Sequence, residues 1–140
     1  MANRGPNRKG GATSKGQVRI IGGERRGHRL QFVDQGGDLR PPSDRMRETL
    51  FNWLQFELPG LRVLDLFAGT GALGLEAISR GAGRAMLVEN GRVGAGLISK
   101  NIELTRSSTE ARLLRADATR LGACAEAPFT LVFLDPPYGT

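Results

Sequence analysis

Four carboxylates stand just beyond four short apolar runs: Asp65 after Val63-Leu64, Glu89 after Met86 to Val88, Asp117 shortly after Leu113-Leu114, and Asp135 after Leu131 to Leu134. Between the first two lies Gly69-Thr70-Gly71-Ala72-Leu73-Gly74, a glycine-rich turn heading a helical stretch. Acids recurring at the carboxyl ends of apolar strands, with such a turn after the first, point to a ligand lying across one edge of a parallel sheet. The glycine spacing also satisfies the dinucleotide fingerprint, so a nicotinamide- or flavin-dependent oxidoreductase stays open at this point.

Asp65 weighs against that rival. A carboxylate four residues before the first glycine suits a cationic ammonium group and would oppose a pyrophosphate on the helix N-terminus. S-adenosylmethionine carries such an ammonium group. On this reading Asp65 faces the ammonium, and backbone N–H groups of the turn, around Phe67, Gly69, Thr70 and Gly71, receive the cofactor's own carboxylate. Glu89 accepts both ribose hydroxyls, and Asp117, with Ala118 beside it, meets the adenine amino group.

The fourth acid opens Asp135-Pro136-Pro137-Tyr138. Two prolines stop the strand and remove two N–H donors, so the motif presents acceptors only. An exocyclic base amine offers N–H donors, and its lone pair is delocalised into the ring. Accepting its protons at Asp135 and the Pro136 carbonyl would favour a pyramidal nitrogen aimed at the sulfonium methyl, with alignment supplying much of the catalysis. Tyr138 can stack on a base withdrawn from its neighbours.

These residues require a frame. From Leu61 onward the pattern alternates: strand (62–67), helix (72–80), strand (85–89), helix (92–104), strand (111–115), a short helical turn, and strand (129–134). Alternating βα units with nearly unbroken apolar strands predict an α/β fold, a Rossmann-like parallel sheet covered on both faces. Ahead of it, Val18 to Ile21 and Leu30 to Val33 read as two β-strands joined by Gly22 to Arg29. Ser43 then reads as the N-cap of a helix whose core face carries Met46, Leu50, Trp53 and Leu54, ending before Pro59-Gly60. Residues 1–17 hold four basic and no acidic residues among several glycines and read as a disordered tail. Three parts are expected: the tail (1–17), a hairpin-and-helix extension (18–58) and a cofactor-binding domain (59–140).

Charge follows that division. Residues 1–62 carry 12 Lys/Arg against 6 Asp/Glu, whereas residues 63–140 carry 8 against 8. Such asymmetry is the footprint of an extension that contacts nucleic-acid phosphates. No apolar run approaches the roughly 20 residues needed to span a bilayer, and the start lacks the apolar segment of a secretory signal. A cytoplasmic protein is expected, without membrane or metal partners. The single Cys124 cannot form an internal disulfide.

Several stretches carry a resemblance: Arg19-Ile20-Ile21-Gly22-Gly23, Leu39-Arg40-Pro41, Asp44 to Asn52, Asp65 to Gly71, and Asp135 to Tyr138. The chain resembles the bacterial small-subunit ribosomal RNA methyltransferase D family from about Val18 to Tyr138. The resemblance implies S-adenosylmethionine-dependent methylation of the N2 of a guanine in 16S rRNA, guanine-966, within the small subunit or an assembly intermediate. It also implies that the hairpin and following helix grip the RNA, with Arg19, Arg25, Arg26, Arg29, Arg40, Arg45 and Arg47 as candidate contacts. A DNA amino-methyltransferase and an inactive RNA-binding module remain alternatives. Two departures stand out. Asn90-Gly91 follows Glu89 where the family usually has a charged residue, and family members continue beyond Tyr138 with further strands and helices. The second half of the sheet is therefore expected to be missing, with Leu131 and Phe133 on an uncovered edge.

Overall fold

The structure, a computed structural model, describes residues 14–34, 42–121 and 128–135. It opens with an antiparallel hairpin, β1 (Ser14–Arg19) and β2 (Arg29–Asp34), with Ser14 opposite Asp34 and Arg19 opposite Arg29. Then come α1 (Asp44–Leu54), β3 (Arg62–Leu66), α2 (Ala72–Ser79), β4 (Arg84–Val88), α3 (Arg92–Leu104), β5 (Ala111–Leu114), a 3-10 turn (Ala118–Arg120) and β6 (Leu131–Leu134). The strands β5-β4-β3-β6 form one parallel sheet in that order. The expected α/β Rossmann-like frame is thus observed. Its order reverses direction between β3 and β6, and that switch point leaves a crevice at the strands' carboxyl ends.

β1 begins at Ser14, not Val18, so residues 14–17 are strand rather than tail. Backbone pairing with β2 overrides the weak β-propensity of Ser14-Lys15-Gly16-Gln17. Arg40, Cys124, Pro136, Pro137 and Tyr138 lie outside the described residues. Among the described residues, no helix is long and apolar enough to cross a membrane.

Ser43 caps α1 as expected, its side chain accepting the Met46 N–H at 3.1 Å. The buried face is the expected one only in part: Leu50 and Leu54 pack against the core. Met46 is 59% and Trp53 77% exposed, while Arg47 and Phe51 are fully buried. Phe51 meets Phe133 of β6 edge-on, ring centroids 5.7 Å apart, with the Arg80 guanidinium 5.4 Å from its own centroid. The apolar stripe could not disclose this rotation, because the residue that turns the helix inward is a charged one whose partner lies far along the chain.

Among the described residues, α1, α2, α3 and the hairpin pack on one face of the sheet. Val63, Ala85, Leu87, Ala111 and Phe133 project to that side, against Leu75 and Ile78 of α2, Ile98 and Ile102 of α3, and Ile20 and Leu30 of the hairpin. The alternate residues Leu64, Met86 and Val88 form a smaller cluster on the opposite face, covered by loop residues such as Leu121 and Phe129. Helical cover on both faces is therefore not observed among the described residues. Successive right-handed crossovers from β3 to β4 to β5 move in one direction, which keeps their helices on one side. On β6 the exposed apolar residues are Val132 and Leu134, not the expected Leu131 and Phe133. Strand alternation turns Phe133 toward α1.

Candidate active site

Each acid named from the sequence sits at or just past the carboxyl end of a strand. Asp65 is the penultimate residue of β3, paired with Leu87 and Phe133 and only 1% exposed. Its Oδ2 accepts the Gly74 N–H at 3.1 Å. Burial pushes its carboxyl up from the ordinary 3.8 to about 7; the Gly74 hydrogen bond opposes the rise, and the charges of Asp135 and Glu89 add to it. The sheet brings the three acids to one edge, because β4, which ends just before Glu89, and β6, which ends just before Asp135, both pair with β3. Three carboxylates there, one of them desolvated, make a site that a cation would stabilise.

The turn after β3 is held in an uncommon shape. Phe67 has φ 56°, a left-handed conformation that costs a non-glycine residue on the order of 1–3 kcal/mol and collects at functional sites. Ala68 anchors the turn by donating its N–H to the Val88 carbonyl at 2.8 Å. Gly71 has φ 85°, and a Cβ on it would lie 3.1 Å from a Leu87 methyl. A Cβ on Gly74 would lie 3.0 Å from the same methyl and 3.3 Å from the Asp65 carboxylate. Glycine at these positions lets the head of α2 close on β3 and β4.

Glu89 follows β4, its Oε1 accepting the Gly69 N–H at 2.9 Å and its Oε2 the Gly91 N–H at 3.2 Å. A Cβ at Gly94 would come within 2.7 Å of that carboxylate, so the small residues at the start of α3 make room for it. Each oxygen retains a second lone pair for a ligand hydroxyl. The N–H groups of Gly69, Gly71 and Ala72 are engaged within the chain, with Glu89, the Ala68 carbonyl and the Thr70 hydroxyl respectively. This corrects the expectation that the turn's glycines offer their N–H groups to a ligand carboxylate: Gly69 and Gly71 serve by shape. Thr70 is buried, and its carbonyl accepts an N–H from Asn101 at 2.9 Å.

Asp117 caps the 3-10 turn that contains Ala118, its Oδ1 accepting from the Thr119 N–H at 2.9 Å and hydroxyl at 2.7 Å. These bonds hold its carboxyl below the ordinary value. Asp135 is exposed directly after β6. No group of three or more His, Cys, Asp or Glu able to hold a metal ion occurs among the described residues.

The arginines divide into two kinds. Arg19, Arg26, Arg29 and Arg45 are exposed, Arg19 lying 3.9 Å from Asp44. Arg25 and Arg47 are not available to a phosphate backbone, which corrects their assignment as surface RNA contacts. Arg25 donates to the carbonyls of Thr105 at 2.7 Å and Arg106 at 3.1 Å and pairs with Glu110 at 3.5 Å. Arg47 is fully buried, paired with Glu76 at 3.1 Å and Asp44 at 2.7 Å.

Sequence reasoning missed the residues that fasten the extension to the sheet domain. Glu76, fully buried in α2, accepts from the N–H groups of Ile21 at 3.0 Å and Gly22 at 2.9 Å and from Arg47 and Arg80. Asn101 of α3, also buried, exchanges hydrogen bonds with the Gln31 N–H at 2.8 Å and carbonyl at 2.9 Å besides reaching Thr70. The available signal was a lone acid inside the otherwise apolar Ala72-Leu73-Gly74-Leu75-Glu76-Ala77-Ile78, since a buried charge demands partners.

Comparison with known proteins accords with this architecture. Residues 18–140 match the family model described as conserved hypothetical protein 95. Ribosomal RNA small subunit methyltransferase D of Escherichia coli K12 is 45% identical over 133 residues, covering 95% of this chain and 64% of that protein. The chain belongs to the ribosomal RNA small subunit methyltransferase D family. The family's Haemophilus influenzae protein of the same description is 40% identical over 128 residues, covering 89% of this chain and 66% of that one. The solved structure of Escherichia coli yhhF superposes with a TM-score of 0.77 at 44% identity, over 89% of this chain and 66% of that one. The chain thus spans about two thirds of the length of these relatives.

Proposed function

We propose that this chain carries the RNA-contacting extension and the cofactor-binding residues of a cytoplasmic, S-adenosylmethionine-dependent methyltransferase acting on the N2 of a guanine in 16S rRNA, guanine-966. The observation that carries the reading is the desolvated Asp65, flanked by Glu89 and Asp135 at the switch point of a parallel sheet and roofed by a strained glycine turn. A cationic ligand relieves the repulsion among these acids, whereas a pyrophosphate would add to it. The residues present therefore fit the cofactor.

S-adenosylmethionine would supply an electrophilic methyl group on a sulfonium. Asp65 would hold its ammonium, Glu89 its ribose hydroxyls, and Asp117 and Ala118 would border the adenine. Asp135 would accept a proton of the guanine amine and orient the nitrogen, with the Pro136 carbonyl as second acceptor, Pro137 fixing the backbone and Tyr138 stacking on the base. Exposed Arg19, Arg26, Arg29 and Arg45, together with Arg40, would contact phosphates of the small-subunit RNA.

Mass spectrometry of small-subunit RNA incubated with the protein and labelled S-adenosylmethionine tests the reading. A single labelled N2-methylguanine is expected with the wild type. Asp135→Ala should abolish transfer while leaving cofactor affinity nearly intact, the pattern of a group needed mainly in the transition state. An unmethylated RNA with the wild type, or an active alanine variant, would refute it.

A further inference from the structure

Asn101 of α3 is fully buried, and its amide is spent on two parts of the chain that lie far apart in sequence. Its Nδ2 group donates to the Gln31 carbonyl of β2 at 2.9 Å and to the Thr70 carbonyl of the cofactor turn at 2.9 Å, while its Oδ1 accepts the Gln31 N–H at 2.8 Å. Both of its N–H donors are thereby used. Glu76 and Ser79 of α2 also hold the extension, at Ile21, Gly22 and Arg25. Those bonds do not reach residues 67–71, and the bond from Asn101 does.

The turn that receives this bond needs outside support. Phe67 holds φ 56°, and a strained residue keeps such a conformation only where its surroundings over-determine it. Three ties do so here. The Ala68 N–H donates to the Val88 carbonyl, the Gly69 N–H to the Glu89 carboxylate, and Asn101 to the Thr70 carbonyl, whose own peptide unit carries the Gly71 N–H bonded to Ala68. The first two ties run to β4 and the residue after it; the third runs through Asn101 to the hairpin. We infer, building on the proposed function, that Asn101 is a positioning residue for the cofactor turn and that through it β2 braces the cofactor site. Release of the Thr70 carbonyl lets the turn relax, and Glu89 then loses the placement that its bond to the Gly69 N–H gives it. The ribose acceptor is displaced although Glu89 itself is unchanged. The hairpin is accordingly part of cofactor recognition, a role separate from its outward arginines.

S-adenosylmethionine affinity, read by calorimetry well below the unfolding midpoint, separates positioning from mere fastening. Asn101→Ala should bind about tenfold more weakly than the wild type. Ser79→Ala, which frees the Gly22 carbonyl and the Arg25 N–H from α2 without touching the turn, should bind as the wild type does. Both variants lose buried hydrogen bonds and should unfold at lower temperature, so a merely structural Asn101 would act like Ser79. Asn101→Asp keeps an acceptor for the Gln31 N–H but has at most one hydrogen to give to two carbonyls, and it too should bind more weakly. The wild type supplies a readout of its own. Because the brace acts in both directions, adding S-adenosylmethionine should slow amide exchange at Gln31 several-fold beyond any slowing at Arg25, and this comparison decides the matter should neither Asn101 variant fold. Unchanged affinity in the folded Asn101 variants, an equal loss in Ser79→Ala, or equal slowing at Gln31 and Arg25 would overturn the positioning role. Where the wild type binds S-adenosylmethionine, such results sink this inference alone; a wild type that does not bind it sinks the proposed function as well.

Discussion

Asp65→Asn should make the free protein more stable and at the same time remove its affinity for a cationic cofactor. The amide keeps an oxygen for the Gly74 N–H and nearly the same volume, so the packing of β3 against α2 is preserved. What it removes is a charge forced into a desolvated position. The Asp65 carboxyl titrates at about 7 in the folded protein against 3.8 ordinarily, a difference worth about 4 kcal/mol. Between those two values the native state binds more protons than the unfolded chain, so this group's stability contribution is fully present below about pH 4 and is lost as pH rises through 7. The variant's advantage should therefore be near zero at pH 4, about 3 kcal/mol at pH 6 and about 4 kcal/mol above pH 7. Urea unfolding of the two proteins across that range reads it directly. Cofactor binding has the opposite pH sense. If the ionised carboxylate holds the ammonium, wild-type affinity should fall about tenfold from pH 8 to pH 6, with nearly one proton released per binding event at pH 6. Calorimetry in buffers of different ionisation enthalpy counts that proton. An asparagine variant that is less stable at every pH, or wild-type affinity that is flat with no proton released, would refute the account of Asp65 as a desolvated cation receptor.

Glu89→Ala should weaken S-adenosylmethionine binding by about 1.5–3 kcal/mol through lost charge-assisted hydrogen bonds; calorimetry showing equal affinity would remove the ribose role. Glu76→Ala should destabilise the protein by about 3–5 kcal/mol, because Arg47 loses its buried partner and keeps only the exposed Asp44, a loss visible in the urea midpoint. The pair Arg26→Ala and Arg45→Ala together should lower RNA affinity and flatten its salt dependence by up to about two phosphate contacts, whereas Arg25→Ala should act mainly on thermal stability; the reverse pattern in salt titrations would contradict the division of the arginines. Gly23 holds φ 84° with its Cβ direction blocked 1.9 Å away by the Ser79 carbonyl, so Gly23→Ala should cost well over the roughly 1 kcal/mol of an unobstructed glycine position and loosen the hairpin in hydrogen exchange.

The sheet and the acids at its edge were legible because both are written in short-range pattern. Apolar runs ending on Asp65, Glu89 and Asp135 announce strands, and a glycine-rich turn before a helix announces where a ligand can approach. The extent of α3, Arg92–Leu104, follows from the same local grammar. Long-range polar partners were not legible. Nothing near Arg47 in sequence says that Glu76, 29 residues on, will neutralise it, so Arg47 read as a surface grip and the burial of α1 was assigned to Met46 and Trp53. Arg25 misled for the same reason, since its partners Thr105, Arg106 and Glu110 lie about eighty residues away. The glycine N–H groups misled in another way. A turn with the right spacing can use its donors on its own acids, and Gly69 does so with Glu89.

Those same missed contacts change how the basic extension must work. A flexible arm could follow an RNA backbone independently of the sheet, at an entropic cost on binding. This hairpin has no such freedom: Gly23 sits against the Ser79 carbonyl, the Glu24 N–H donates to that oxygen at 2.8 Å, and Ser79 donates to the Gly22 carbonyl at 2.6 Å. Asn101 bonds β2 at Gln31 and the cofactor turn at Thr70 with one side chain. The outward arginines of the extension are consequently held at fixed positions relative to Asp65, Glu89 and Asp135. On the proposed function, RNA registered on the extension is registered on the reaction site too, without further ordering of the protein. Orientation is then supplied by the folded state itself, which is where a reaction limited by alignment gains most.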